Sequence, residues 1–131
     1  MSPKSVAQKL QIKQNTTVWS SGSSERDLIG PLPEEARHVD RLDEATTAVV
    51  FASSAEALRR VLTANRDQLA RPSVFWVAYP KGNRSDINRD TLWPILGEYG
   101  MRPISQVSVD EVWSALRFRP LAEGETFTGG K

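Results

Sequence analysis

The chain predicts an α/β domain in which a mostly parallel sheet carries flanking helices and closes with an antiparallel strand. Three observations predict it. Thr46 to Ala52 (TTAVVFA) and Val74 to Tyr79 (VFWVAY) are mainly apolar on both of their alternating sets of positions, as strands covered on both faces are. Helical segments alternate with these strands, the order that right-handed parallel crossovers need. Near the end, Leu116 and Phe118 alternate with Arg117 and Arg119, which marks a strand with one wet face, an edge or antiparallel member.

The elements follow in order. The first fifteen residues are polar, carry Lys4, Lys9 and Lys13, and predict a flexible arm or a short helix resting on the body. Thr16 to Ser20 (TTVWS) is the first strand, β-branched and aromatic. The loop Ser21-Gly22-Ser23-Ser24 precedes a helical turn that Ser23 or Ser24 caps and Gly30-Pro31 stops. Ala36 to Asp40 is a weak second strand, and Thr46 to Ala52 a strong third. Ser53-Ser54-Ala55-Glu56 has the spacing of a capping box, Ser53 to Glu56. The helix beyond it sets Leu58, Val61, Leu62 and Leu69 on one side, with Arg59, Arg60, Arg66 and Asp67 mostly opposite, so it packs on a sheet. Arg71-Pro72 ends it, and Val74 to Tyr79 is the next central strand.

A helix follows, capped by Asp90 or Thr91 with Pro94 in its first turn and Gly100 at its close. Met101 to Val107 and Val112 to Arg119 are the last strands, separated by Ser108 to Glu111. Trp19, Trp76 and Trp113 sit at strand positions and belong to the core, while Trp93 packs its helix against the sheet. The domain plan is therefore a flexible arm over 1–15, one α/β domain over 16–120 and a disordered tail over 121–131.

Composition sets outer bounds. At 131 residues the chain is one domain, able to bury roughly two-thirds of its unfolded surface without a metal or disulfide. Its 17 basic and 16 acidic residues leave a net charge of +1, with no long-range pull toward nucleic acid or anionic lipid. Zero cysteines remove thiol nucleophiles, disulfides and thiolate metal sites, and fit a reducing compartment. No window approaches the ~18 apolar residues of a membrane span, and the N-terminus has no signal-peptide core. A cytoplasmic protein is expected.

Leu10 to Lys13, Gly30-Pro31-Leu32-Pro33, Tyr79-Pro80-Lys81 and Val109 to Leu116 (VDEVWSAL) together resemble a family of small bacterial domains of unknown function. The resemblance spans residues 10 to 120, and Asp110 to Leu116 is its most specific part. This chain departs from it at Tyr79, where a tryptophan is usual, and at Asn15-Thr16, where a tight glycine turn is usual. The closing helix, strand, turn and strand also look like the end of the Rossmann-like fold of class I S-adenosylmethionine methyltransferases, whose last strand returns antiparallel into the sheet. The resemblance implies that methyltransferase-like fold. The family has no established activity, so it implies none here, and no cofactor.

Open α/β sheets hold ligands at the carboxyl ends of their parallel strands. Three loops meet that description: Ser20 to Glu25, Ser53-Ser54, and Lys81 to Asn88. Ser21, Gly22 and Ser23 could present backbone N–H groups to an anion, although one glycine falls short of a G-x-G-x-x-G fingerprint and an ordinary capped turn explains it as well. Asp40, ending the second strand, is placed to take a ribose hydroxyl; charged residues also leave strands with no such role. Lys81 and Arg84 could hold a phosphate or carboxylate, against the plainer reading of a solvated turn. Ser53 completes the set. Asp110-Glu111 invites a paired-carboxylate reading, but adjacent strand residues point to opposite faces unless a turn or bulge alters this; fixing the chain reversal before Trp113 is the favoured role. His38, the one histidine, is a surface residue with no cysteine or second histidine to join it.

Two function classes survive. The first is a non-catalytic domain that acts through protein contacts or regulatory binding, favoured by the missing fingerprint and the lack of a nucleophile-base pair. The second is a binding domain for a small anion or nucleotide of the S-adenosylmethionine kind, related to transferases and favoured by the three loops and Asp40. A complete methyltransferase usually has more chain ahead of its third strand. Nucleic acid ranks third, because the basic residues are dispersed among acids, and is not expected as a partner. Neither is a membrane. The expected partner is a protein or small anionic ligand, for a monomer or homodimer without metal or cofactor.

Overall fold

The computed structural model describes residues 6–21, 29–30, 32–69, 71–81, 87 and 89–120. Its strands are β1 (Thr17–Ser20), β2 (Arg37–His38), β3 (Thr47–Phe51), β4 (Val74–Pro80), β5 (Met101–Ser108) and β6 (Trp113–Pro120). The helices are α1 (Val6–Lys9), α2 (Ala55–Ala64) and α3 (Arg89–Gly97), with 3₁₀ turns at Leu42–Glu44 and Arg66–Gln68. One six-stranded sheet runs in the order β2-β1-β3-β4-β6-β5. The first four neighbours are parallel, and β6 is antiparallel to both β4 and β5. The expected architecture, mostly parallel with an antiparallel close, is the one found.

Two-sided burial organises the molecule. Every residue of β3 is buried, and successive residues feed opposite cores. Ala48 and Val50, with Phe75 and Val77 of β4, pack beneath Leu58 and Leu62 of α2 and Leu92 and Leu96 of α3. Val49, Phe51, Trp76 and Ala78 face the other way, onto Ala7, Leu10, Ile12 and Ile29. Burying Leu58 and Leu62 favours folding by roughly 1.5–3 kcal/mol each. Trp76, fully buried, also donates its indole N–H to the Leu10 carbonyl at 2.9 Å.

That second core settles the start of the chain. Of the two readings for the first fifteen residues, the helix resting on the body is found at Val6–Lys9, with Ala7, Leu10 and Ile12 all buried. Ala7, Leu10 and Ile12 thus pack into the second core. Asn15 adopts φ 61°, a left-handed conformation that asparagine tolerates better than most residues. It therefore makes the turn without a glycine.

Other expectations are corrected. The cap of α2 is Ser54 and not Ser53: its hydroxyl accepts the Ala57 N–H at 3.1 Å. Glu56 instead meets Arg60 one turn on, at 2.8 Å. Pro94 lies inside α3, past the first turn, and α3 ends at Gly97, leaving Gly100 (φ 78°) to turn the chain into β5. The second strand is only two residues long. Of the two readings for the arginine-bearing last strand, the antiparallel one holds; β6 lies between β4 and β5, and β5 takes the edge. The expected helix after Ser23 falls largely outside the described residues, as do residues 1–5 and the tail 121–131. No helix among the described residues is long and apolar enough to cross a membrane.

Candidate ligand site at the carboxyl edge of the sheet

The chain lays β2 on one side of β1 and then crosses to lay β3 and β4 on the other. The gap between β1 and β3 is therefore the point where the direction of winding reverses, and open α/β sheets form their ligand crevice at the carboxyl side of such a point. Because β2, β1, β3 and β4 are parallel, Asp40, Ser21, Ser53 and Lys81 all follow carboxyl ends on one edge. Adjacent strands lie about 4.8 Å apart, so the ends of β1 and β4 are separated by roughly 10 Å, the span of a nucleoside.

Each residue's local setting differs. Ser21 is committed to the fold: its hydroxyl accepts the Phe51 N–H at 2.8 Å and its own N–H donates to the Val49 carbonyl at 3.1 Å. It closes the gap between β1 and β3, and both its hydroxyl and its N–H are spent on that closure. Asp40 is exposed, one residue beyond Val39, whose N–H holds the Val18 carbonyl at 2.8 Å. Ser53 is exposed and immediately precedes the cap of α2, so it stands beside the N–H groups of that helix. Lys81 donates its ammonium to the Ser108 hydroxyl at 2.6 Å and its backbone N–H to the Val112 carbonyl at 2.7 Å. These contacts tie it to the β5–β6 turn. Gly22, Ser23 and Arg84 lie outside the described residues.

The same edge also holds the turn into β6. Trp113, register partner of Pro80, packs edge-on against Phe51 with ring centroids 5.4 Å apart and an 85° interplanar angle. Val112, 41% exposed, stands beside them in the turn. Asp110 performs the expected reversal: its Oδ1 accepts the N–H groups of Val112 and Trp113, each at 2.8 Å. Among the described residues, no three His, Cys, Asp or Glu side chains gather as a metal would need.

A separate cleft of about 430 Å³ opens between α3 and the edge strand β5, lined by Trp93, Pro103, Gln106 and Leu116 among others. None of the sequence-predicted site residues lines it. Its lining is the continuous β5 stretch 102–106 joined by Trp93 of α3 and Leu116 of β6, so the packing of three elements assembles it.

Comparison with known proteins bears on the fold. No protein-family model matches the chain, and no curated protein does. Solved structures do. A Streptococcus agalactiae protein of the NADB-Rossmann superfamily is 10% identical, with a TM-score of 0.59 over 92% of this chain and 69% of its own. An uncharacterised protein from Listeria monocytogenes serotype 4b is 12% identical, with a TM-score of 0.58 over 98% and 72%. A Streptococcus pneumoniae protein assigned as a tRNA (m1A22) methyltransferase, in complex with S-adenosyl-L-methionine, is 11% identical, with a TM-score of 0.55 over 92% and 73%. At such identities the likeness speaks for architecture alone: the chain has the Rossmann-like, methyltransferase-like fold that its closing strands resemble.

Proposed function

We propose that this domain binds a nucleotide of the S-adenosylmethionine type at the carboxyl edge of its sheet. The observation that carries the reading is the β1/β3 switch point, with Ser21 and Ser53 following the strands on either side of it and Asp40 following the neighbouring β2. Asp40 takes the ribose hydroxyls as an acceptor. The N-terminal N–H groups of α2, next to Ser53, face a carboxylate or phosphate, and Lys81 supplies the nearby positive charge. The fold shared with a structure that holds S-adenosyl-L-methionine supports this choice of ligand. The non-catalytic, protein-contact reading has no comparable observation behind it.

A relation to transferases is part of the same proposal. Dispersal of the basic residues was the ground for expecting no nucleic acid, and the comparisons lend that expectation no support. One similar structure is the m1A22 tRNA methyltransferase of B. subtilis, 12% identical with a TM-score of 0.54. RNA therefore belongs in the test as a second component.

The test is a thermal-shift screen with S-adenosylmethionine, its demethylated product, common nucleotides and a short structured RNA. A ligand at about 100 times its dissociation constant adds about 2.7 kcal/mol of stability, a rise of several degrees in a domain of this size. Asp40→Asn should fold as the parent does and lose most of that rise. Absence of any shift with adenosyl ligands or nucleotides would remove the proposal.

A further inference from the structure

The cleft between α3 and β5 has a chemistry of its own. The register sets Pro103 opposite Phe118 and Gln106 opposite Leu116, so these side chains share the sheet face on which Trp93 packs. Trp93 is half-buried and Gln106 exposed, which makes the first a wall and the second a rim. Gln106 is also held in place. Its Nε2 donates to the Tyr79 phenol oxygen at 2.9 Å, across the intervening strand β6.

We propose that this cleft binds a single nucleobase, with the Trp93 indole as stacking surface and the Gln106 amide pairing with the base edge. A primary amide carries two N–H donors and one carbonyl acceptor. The Tyr79 contact uses one donor, leaving an adjacent N–H and C=O. That pair matches the N7 acceptor and N6 amino donor of adenine, and equally any base edge that sets an acceptor beside a donor, such as O6 and N1–H of an unpaired guanine. Stacking on the indole supplies affinity without regard to sequence. About 430 Å³ lies within the range of small-ligand pockets.

The alternative use of this face is addition of a strand to the open edge of β5. The edge is poorly suited to it. Pro103 offers no N–H, and the ladder slips between Pro103 and Ser105, leaving Ile104, 45% exposed, out of register. Both are devices that blunt a sheet edge. The base site is independent of the carboxyl-edge proposal, because it uses none of the same side chains.

The experiment is a ¹H–¹⁵N titration of the whole chain with adenosine, guanosine and uridine in turn. Millimolar adenosine should shift the Trp93 indole N–H and the Gln106 side-chain amide together. Gln106→Leu keeps the volume and removes the edge contact together with the hydrogen bond to Tyr79; it should stay folded, melt slightly below the parent, and weaken adenosine at this cleft by about tenfold. Asp40→Asn should leave these shifts untouched, even where it removes binding at the carboxyl edge. The proposal falls if adenosine moves only resonances around Asp40, Ser53 and Lys81. It falls equally if no nucleoside moves the Trp93 and Gln106 resonances, or if Gln106→Leu leaves nucleoside binding at the cleft unchanged.

Discussion

Trp113 shows how a single residue joins two parts of this fold. Its backbone N–H is held by the Asp110 carboxylate at 2.8 Å, fixing the reversal into β6, and its ring lies edge-on to Phe51, the last residue of β3. An edge-to-face pair is worth about 0.5–1.5 kcal/mol beyond its buried area. The ring is partly rather than fully buried, so Trp113→Ala should cost about 3 kcal/mol, the lower end for a large aromatic. Urea denaturation measures this, and an unchanged midpoint would make Trp113 a surface residue. At this scale the sequence was readable where the physics was local. An aspartate two and three residues ahead of the groups it accepts from is an Asx-turn in the primary structure itself. Ser21 was different: its partner, the Phe51 N–H, lies on another strand, and nothing local points to it.

Elements are set by a mixture of local and distant forces, and α2 separates the two. Two serines in a row offered two helix starts, and Glu56 at the right spacing favoured Ser53. Ser54 caps instead, because β3 ends at Phe51 and the chain must clear the sheet edge before it turns. Ser54→Ala should therefore cost about 1 kcal/mol, while Ser53→Ala should leave the melting temperature where it is; equal effects would restore the sequence-based cap. The far side of α2 is tied to the end of α3. Arg59 grips the Glu98 carboxylate with two N–H groups, at 2.7 and 3.1 Å. That hydrogen bonding, aided by the charge of Arg59, outweighs partial desolvation and lowers the Glu98 pKa below its ordinary 4.5. A depressed carboxyl pKa contributes stability above the unfolded value and loses it as pH falls through the folded one. The advantage of the parent over Arg59→Ala should accordingly shrink below pH 4.5. Melting curves across acid pH measure it, and a gap that stays constant would show that the ion pair plays no part. Exposed as both groups are, the effect should be small.

For the whole molecule, the alternation of two-faced strands and amphipathic helices made the parallel sheet readable, because burial on both faces leaves no polar alternation to mistake. Which strand took the edge was not readable: Arg117 and Arg119 look edge-like, yet β6 is interior, with Arg117 reaching Gln11 on the α1 side at 2.9 Å. The cleft at Trp93 was hidden for the same reason, being assembled from an edge strand and a helix whose packing no periodicity encodes. The carboxyl edge was readable, since parallel strands must release their loops on one side. A consequence can be tested on the charges there. Lys81 follows β4 on that edge, and Arg84 follows it in the sequence, outside the described residues. The double variant Lys81→Ala/Arg84→Ala removes both cations. In folding it gives up the exposed contact of Lys81 with Ser108, and exposed polar contacts of this kind contribute within about 1 kcal/mol. The variant should thus melt near the parent without ligand and lose the stabilisation that adenosyl ligands or phosphate confer. A large fall in its unliganded melting temperature would make the two residues structural. If ligand stabilisation survives intact, the positive part of the site lies in the backbone N–H groups at the start of α2, and the cations of the β4 loop stand apart from it.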